Sequence, residues 1–424
     1  MLHFKRSTKR ASALAMAAAL PLAAATAPAV AEEPTPVDAL VNGDVDLNFR
    51  YRFESVDQQG FDEDANASTL KSRLTYNSAD WRSASLTVEF DHVTAVGSDE
   101  TYNSTRNGVT DRPVVADPEG ADLNQAYFEY DGLFDTRFRG GRQRILLDNQ
   151  RFFGGVGWRQ NEQTYDALTF KNSSLPDTTL YYGFIGNVNR IFGPEEADSG
   201  EPAADFNTDV HILNASYKGL PGHTITGYSY WMDVQDADGL SNRTTGAYVK
   251  GEVPLELPVT PFYRLEYADQ SDHADNPSDF DAEYLHAYGG LKGEIWSAKV
   301  GVEELGADDN GGGAFRTPFA TLHKFQGFAD KFLTTAGGGQ DVTDTYVSGN
   351  VTFLGATFAA FYHDYEEEDG SDDLGDEINL VAKRSFGEHF GGLIKYADYS
   401  SGDQGTGFAN DDTEKLWLQL TANF

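Results

Sequence analysis

The feature that most constrains this chain is a two-residue alternation of apolar and polar side chains, repeated in short segments from Val45 to Phe424. A strand sends successive side chains to opposite faces, so this pattern marks a sheet with one apolar and one polar face. The first segment is the clearest. Val45, Leu47, Phe49, Tyr51 and Phe53 share one face, and Asp46, Asn48, Arg50, Arg52 and Glu54 share the other. Segments of the same kind recur to Lys415–Phe424 and predict an all-β chain of 18 strands, 16 at the least. Their connections alternate in length. Ser78–Ser83, Asp131–Thr136, Lys218–His223, Lys292–Ile295 and Leu354–Gly355 are short, whereas Thr94–Leu123, Leu146–Thr164, Arg190–Thr208, Asp269–Ala282 and Glu304–Thr343 are long. An even strand count with short turns at one end and long loops at the other is the arrangement of a transmembrane antiparallel β-barrel.

Composition narrows the choice further. Aromatic residues reach 13% and glycines number 43, yet mean hydropathy is only −0.48. A barrel explains this combination, because only alternate residues face lipid while lumen and loops stay polar. The absence of cysteine excludes a disulfide framework and thiolate metal sites. With 32 Lys+Arg against 67 Asp+Glu the net charge is −35, which argues against nucleic acid as a partner.

The first 31 residues read as a signal peptide. Lys5, Arg6, Lys9 and Arg10 precede an Ala/Leu-rich run, and Ala29-Val30-Ala31 supplies a small-residue cleavage site. Residues 32–43 are then expected to be a short periplasmic tail, too short for a plug domain, and residues 44–424 the barrel. The expected location is the outer membrane of a Gram-negative bacterium. Leu416, Leu418, Leu420, Ala422 and Phe424 form an amphipathic last strand with a terminal aromatic, which resembles the signal read by the barrel-assembly machinery. Tyr51, Tyr76, Phe90, Phe128, Tyr130, Tyr182, Tyr228, Tyr230, Tyr263, Tyr267, Trp296 and Phe361 are candidates for an aromatic belt against lipid and lipopolysaccharide.

No GxSxG, HExxH, CxxC or P-loop motif occurs, and the histidines are scattered singly, so no catalytic residue, metal site or cofactor is expected. The strongest chemical signal is a basic cluster comprising Arg137, Arg139, Arg142, Arg144, Arg151 and Arg159. Guanidinium forks bind carboxylates and phosphates bidentately, and rings of Arg or Lys select anions in pores. Arg50, Arg52, Lys71, Arg73, Arg190 and Arg264 extend the candidate pore lining to other strands. The same residues could equally form ion pairs with Glu54, Glu89, Asp91, Glu129, Asp148, Glu162 and Glu266, stiffening the wall. Strict alternation sets Arg142 opposite in phase to Arg139 unless a bulge at Gly140-Gly141 resets the register.

A second candidate is the aromatic stretch Phe315–Phe332, flanked by Gly311–Gly313 and Gly337–Gly339. It is too apolar for a solvated loop and is expected either to constrict or cap the pore, with Arg316, His323, Lys324 and Lys331 as constriction-loop candidates, or to form an ordinary buried patch of Phe319, Leu322, Phe325 and Phe328 beneath other loops. The acidic runs Asp62–Asp64, Glu195–Asp198, Asp272–Asp281 and Glu366–Asp376 read mainly as a solvated outer surface. The carboxylates Glu367, Asp369, Asp372 and Asp373 could also bridge divalent cations to lipopolysaccharide, although they lack EF-hand spacing.

Two blocks resemble the alginate-export family of outer-membrane barrels. One comprises Gly141-Arg-Gln143, Asn149-Gln-Arg151, Gly157–Gln163 and Tyr165-Asp166; the other is Pro318–Phe332. The resemblance implies an 18-stranded monomeric barrel with an arginine-lined pore, in which Arg142, Arg144, Arg151 and Arg159 are matched pore-lining positions. The functional expectation is a passive porin-like channel for anionic or sugar-like solutes. Alternatives are an alginate-type exopolysaccharide export pore and, from another class, an outer-membrane barrel enzyme or surface adhesin.

Overall fold

The computed structural model describes residues 35–424 apart from 196, 255–257, 309–311, 334–340, 369–371 and 403–409. The expected signal peptide, the start of the tail, Gly311, Gly337–Gly339 and Asp369 therefore lie outside the described residues. The tail is not merely extended chain. A short helix, α1 (Pro36–Val41), is closed by a capping box in which Thr35 and Asp38 satisfy each other's backbone N–H. The carbonyl of Ala39 then accepts from the Ala79 N–H at 3.0 Å, docking the helix on the first short turn.

The remainder is one closed sheet of 18 antiparallel strands. They run from β1 (Asp44–Gln58), β2 (Ala65–Asn77), β3 (Ala84–Ala95), β4 (Gly120–Leu133), β5 (Thr136–Gln143) and β6 (Thr164–Asn172) through β7 (Thr178–Asn189), β8 (Asp205–Tyr217) and β9 (His223–Val234). The second half comprises β10 (Asn242–Glu252), β11 (Thr260–Asp272), β12 (Asp281–Lys292), β13 (Trp296–Leu305), β14 (Val342–Phe353), β15 (Ala356–Glu366), β16 (Asp373–Phe386), β17 (Phe390–Ser401) and β18 (Thr413–Asn423). Each strand pairs with its sequence neighbours, and β1 pairs with β18 from Asn48↔Asn423 to Gln58↔Thr413. Closure leaves no ladder edge in lipid, where an unpaired backbone group costs several kcal/mol. Phe424 finishes the seam by exchanging both backbone hydrogen bonds with Leu47 at 2.9 Å.

All 18 expected segments are strands, but several extend past the expected bounds at the long-loop end. Beyond the lipid both faces meet water, so hydropathy alternation fades while the hydrogen-bond ladder continues. On the outer face lie Leu47, Leu74, Phe90, Leu265, Val300, Phe358, Ile394 and Leu420, all exposed. The inner face carries the buried polar and charged residues, an inversion of the soluble pattern. Alternation corrects the expected belt at three positions. Tyr228 and Tyr230 share the buried phase of Met232 and Val234, and Phe361 shares that of His363 and Tyr365, so all three point inward.

An apolar core lies inside the barrel rather than between layers. Phe152 and Phe153 from the β5–β6 loop, and Phe315, Phe319 and Phe332 from the β13–β14 loop, pack against inward-facing Tyr228, Tyr230, Tyr284, Tyr365, Tyr399 and Trp417. The two loops also join each other: Gly154 N–H donates to Phe319 O at 2.9 Å and Thr321 N–H to Gln150 O at 3.0 Å. A Cβ on Gly154 would stand 2.1 Å from Thr321 Oγ1, so this contact requires glycine.

Candidate functional site

The arginine cluster begins on β5. Arg139 faces inward, where it pairs with Glu129 at 2.6 Å and covers the Tyr127 ring at 4.3 Å. Pairing with β6 runs without a break from Thr136↔Asn172 to Gln143↔Tyr165, so no bulge resets the phase at Gly140-Gly141. Arg142 therefore stays on the outer face with Phe138, bound to Asp166 at 2.8 Å and lying 3.7 Å from Asp122. It is not pore-lining, which corrects the expectation drawn from the cluster and from the family blocks. Arg144 follows the last residue of β5, is released from alternation, and turns inward to Glu89 and Glu162.

The other arginines of this wall are likewise engaged. Arg73 meets Asp91 at 2.5 Å, Glu162 at 2.9 Å and Glu89 at 3.4 Å, and Lys71 meets Glu162 at 3.4 Å. Arg159 reaches Glu54 at 3.0 Å, Asp330 at 3.5 Å and Asp117 at 3.8 Å. Arg52 donates to Gln419 at 2.7 Å and covers the Trp158 ring at 4.0 Å. Arg50 holds the β5–β6 loop through Gln160 Oε1 and Gly157 O, both at 2.8 Å, and through Arg159 O. Arg151 is 3.2 Å from Glu303 and 4.6 Å from the Phe325 ring. Arg52 and Arg151 are 1% exposed, so neither offers a free guanidinium to a passing solute. Removing an ionic group from water costs several kcal/mol unless a counter-charge meets it, and these arginines carry theirs with them. Against burial, which acts in the opposite direction, Lys71, Arg144 and Arg73 hold the Glu162 carboxyl well below the usual carboxylate range. The result is a charge lattice that clamps the β5–β6 loop across the lumen.

Arg190 lies in the β7–β8 loop, between the Phe192 and Phe206 rings at 4.6 and 4.5 Å, and donates to Ala203 O at 3.1 Å. Arg316 covers the Phe280 ring at 4.4 Å and donates to Gly239 O, fastening the β13–β14 loop under the outer mouth. Lys331 donates to Thr413 Oγ1 at 3.0 Å. These residues anchor loops and present no ring of cations to the passage.

His323 sits in a buried cluster that sequence reasoning only half captured. Its ring stacks on Trp158 at 4.6 Å with planes 9° apart, Nδ1 meets Asp330 at 2.7 Å, and Nε2 meets Lys395 Nζ at 2.5 Å. The pattern fits a neutral imidazole that donates to Asp330 and accepts from the Lys395 ammonium. Burial pushes the His323 pKa down to about 3, although Asp330 acts in the opposite direction. Asp330 also receives Arg159 at 3.5 Å and Lys415 at 3.4 Å, so one carboxylate joins both inward loops to β18.

Below this cluster, the β13–β14 loop and the inner faces of β11 to β15 enclose a cavity of about 220 Å³. Arg264, Lys299 and Lys324 bring positive charge, Tyr288, Tyr346, Phe325, Phe328 and Phe361 bring rings, and His286, His363, Glu303 and Asp344 complete the wall. Arg264 is paired with Glu266 at 2.7 Å and lies 3.8 Å over Tyr248. Among the described residues, the Lys324 ammonium has one recorded hydrogen bond, to Asn149 O at 3.2 Å. Lys299 has no ion pair among the described residues; its ammonium rests over Tyr288 at 4.6 Å and Tyr346 at 4.8 Å. Lys299, Lys395 and Lys415 escaped notice because each stands alone in sequence, far from the arginine cluster. Their inward phase was legible from alternation with Glu303, Tyr399 and Trp417, but their pairing state was not. Among the described residues no three His, Asp or Glu side chains converge on a metal position.

The alginate export family model matches residues 42–294, more than half of the chain, and stops before the second resembling block. No curated protein matches the chain in sequence. Among solved structures, Acinetobacter baumannii OccAB2 is similar with a TM-score of 0.69 and 14% identity, covering 91% of this chain and 98% of that one. Pseudomonas aeruginosa OccK9 (OpdG) has a TM-score of 0.68 at 14% identity, covering 91% and 99%. Pseudomonas aeruginosa OpdK, crystallised with vanillate, has a TM-score of 0.66 at 11% identity, covering 91% and 99%. At these identities the structures speak to the fold, an 18-stranded outer-membrane barrel, whereas the family match speaks to descent. The chain belongs to the alginate export family and is one of its outer-membrane β-barrels.

Proposed function

We propose that the protein is a passive channel for small anionic or sugar-like solutes. The observation that carries this reading is the lumen itself. Two inward loops and their aromatic core cross it, and the cavity beside them, about 220 Å³, is lined by Lys299, which has no ion pair among the described residues. A space of that size admits a single-ring solute, whereas a polymer would require both loops to move aside. The pairing of the arginine wall turns attention for anion preference to Lys299 on β13 and Lys324 on the β13–β14 loop. Family membership supports a second reading, export of an alginate-type polysaccharide after displacement of those loops.

On this reading the channel is a monomer without catalysis, seated among outer-membrane lipid and lipopolysaccharide, cleaved near Ala31 and assembled through Phe424. The deciding measurement is the anion-to-cation permeability ratio of the purified barrel in planar bilayers under a salt gradient. Anion preference that falls in Lys299→Ala supports the channel reading. Cation preference removes the basis for an anionic solute, and a silent barrel returns the enzyme and adhesin alternatives.

A further inference from the structure

We infer that the cavity between the β13–β14 loop and β11 to β15 is a binding subsite for a single-ring aromatic carboxylate, in preference to a hydroxyl-rich sugar acid. The inference rests on the channel reading and names the solute class that this cavity favours.

The first support is the balance of free hydrogen-bonding groups. Glu303 is already taken by the Tyr284 hydroxyl at 2.6 Å, the Gln326 amide at 2.5 Å and Arg151 at 3.2 Å. Asp344 is taken by His363 Nδ1 at 2.9 Å. The charged group left over is a cation. Lys299 Nζ has neither a hydrogen bond nor an ion pair among the described residues, and buried His286 Nδ1 lacks a partner while its Nε2 meets Tyr346 at 3.0 Å. A bound molecule is therefore met by an ammonium with no counter-charge among the described residues, which a carboxylate answers.

The second support is shape and surface. Tyr288, Tyr346 and Phe361 from the wall and Phe325 from the loop face one space of about 220 Å³, smaller than the roughly 300–1,000 Å³ of pockets that hold drug-sized ligands. A planar ring meets these rings by offset or edge contacts while its carboxylate reaches Lys299. Entry is provided from below. A second cavity of about 260 Å³ shares Tyr288, Lys299 and Phe361 and continues to Ser297 and Asn350, nearer the short turns. Lys299 thus stands at the junction of the two spaces.

The test is calorimetric titration of the full barrel in detergent with benzoate, cyclohexanecarboxylate and glucuronate. The expected result is benzoate binding at least about tenfold tighter than either comparator. Lys299→Met is expected to weaken benzoate binding by about tenfold or more with an unchanged unfolding midpoint, and Lys299→Arg to keep it within about threefold. Glucuronate binding as tightly as benzoate, no benzoate binding, or indifference to Lys299→Met each overturns the subsite. Bilayer conductance is recorded on the same preparation. Conducting barrels without benzoate preference sink the subsite and spare the channel, whereas a selective but silent barrel does the reverse.

Discussion

The wall from β1 to β5 and the wall from β10 to β15 both carry inward cations, yet they differ in what those cations touch. On the first wall Arg73, Arg144 and Arg159 each meet two or three carboxylates and hold the β5–β6 loop in the lumen. On the second, Lys299 rests on tyrosine rings with no counter-ion among the described residues. A dense run of arginines therefore does not by itself make an electropositive passage. Pairing decides whether a buried cation is mortar or a binding group, because a charge already neutralised has little field left for a solute.

The comparison is broken most forcefully by removing a shared carboxylate. Glu162→Ala strands Lys71 and takes one carboxylate each from Arg73 and Arg144, and is expected to destabilise the barrel by about 3–5 kcal/mol in denaturant unfolding. Removing Glu252, which pairs with Lys292 at a half-exposed site, should change stability by only about 0–1 kcal/mol. If the two variants unfold alike, the lattice is not structural.

Gly141→Ala probes how the first wall keeps its close strand contact. Gly141 has φ +122°, and a Cβ there would lie 2.3 Å from Ala126 O, so a loss of about 1–3 kcal/mol is expected in the same assay. A neutral result would mean that β4 and β5 can separate freely.

Acid should act on the β13–β14 loop in preference to the barrel wall. With its pKa pushed from 6.5 down to about 3, His323 refuses a proton that the undocked loop would bind. Docking is therefore strongest above pH 6.5 and weakens as pH falls toward 3, by up to about 1.4 kcal/mol per pH unit. Conductance is expected to rise across that window in the native barrel and not in His323→Phe. A flat profile in the native barrel would separate the loop from the gate.

The smallest stability effect belongs to Lys299→Ala, expected within about 0.5 kcal/mol because no partner is left behind. The same change should lower anion preference more than Arg142→Ala does, since Arg142 lies on the outer face with Asp166. Equal loss of selectivity in the two variants would contradict the assignment of the two walls.

Much of the architecture was readable from residue pattern. Alternation located all the strands, and parity offset Arg139 from Arg142 subject to a bulge that the unbroken β5–β6 register does not contain. Belt positions were less secure, because aromatics serve equally against lipid and in an inner core; Tyr228, Tyr230 and Phe361 proved to be core residues. The candidate site was read least well. The stretch Phe315–Phe332 announced that it must pack on something, but its partners Trp158, Lys395 and Trp417 come from distant parts of the chain.

Sequence alone determined the closed barrel, because a period of two with lipid on one side leaves no other way to satisfy every backbone group. It determined also that inward positions would be polar, whereas the phase of Arg142 waited on whether a bulge reset the register at Gly140-Gly141. Only the tertiary structure decided which charges neutralise one another, since Glu162, Asp330 and Glu303 are brought to their partners by loops that fold back into the lumen. Coulombic pairing depends on distances of a few ångströms, and residue spacing along a chain carries no such distances across a barrel.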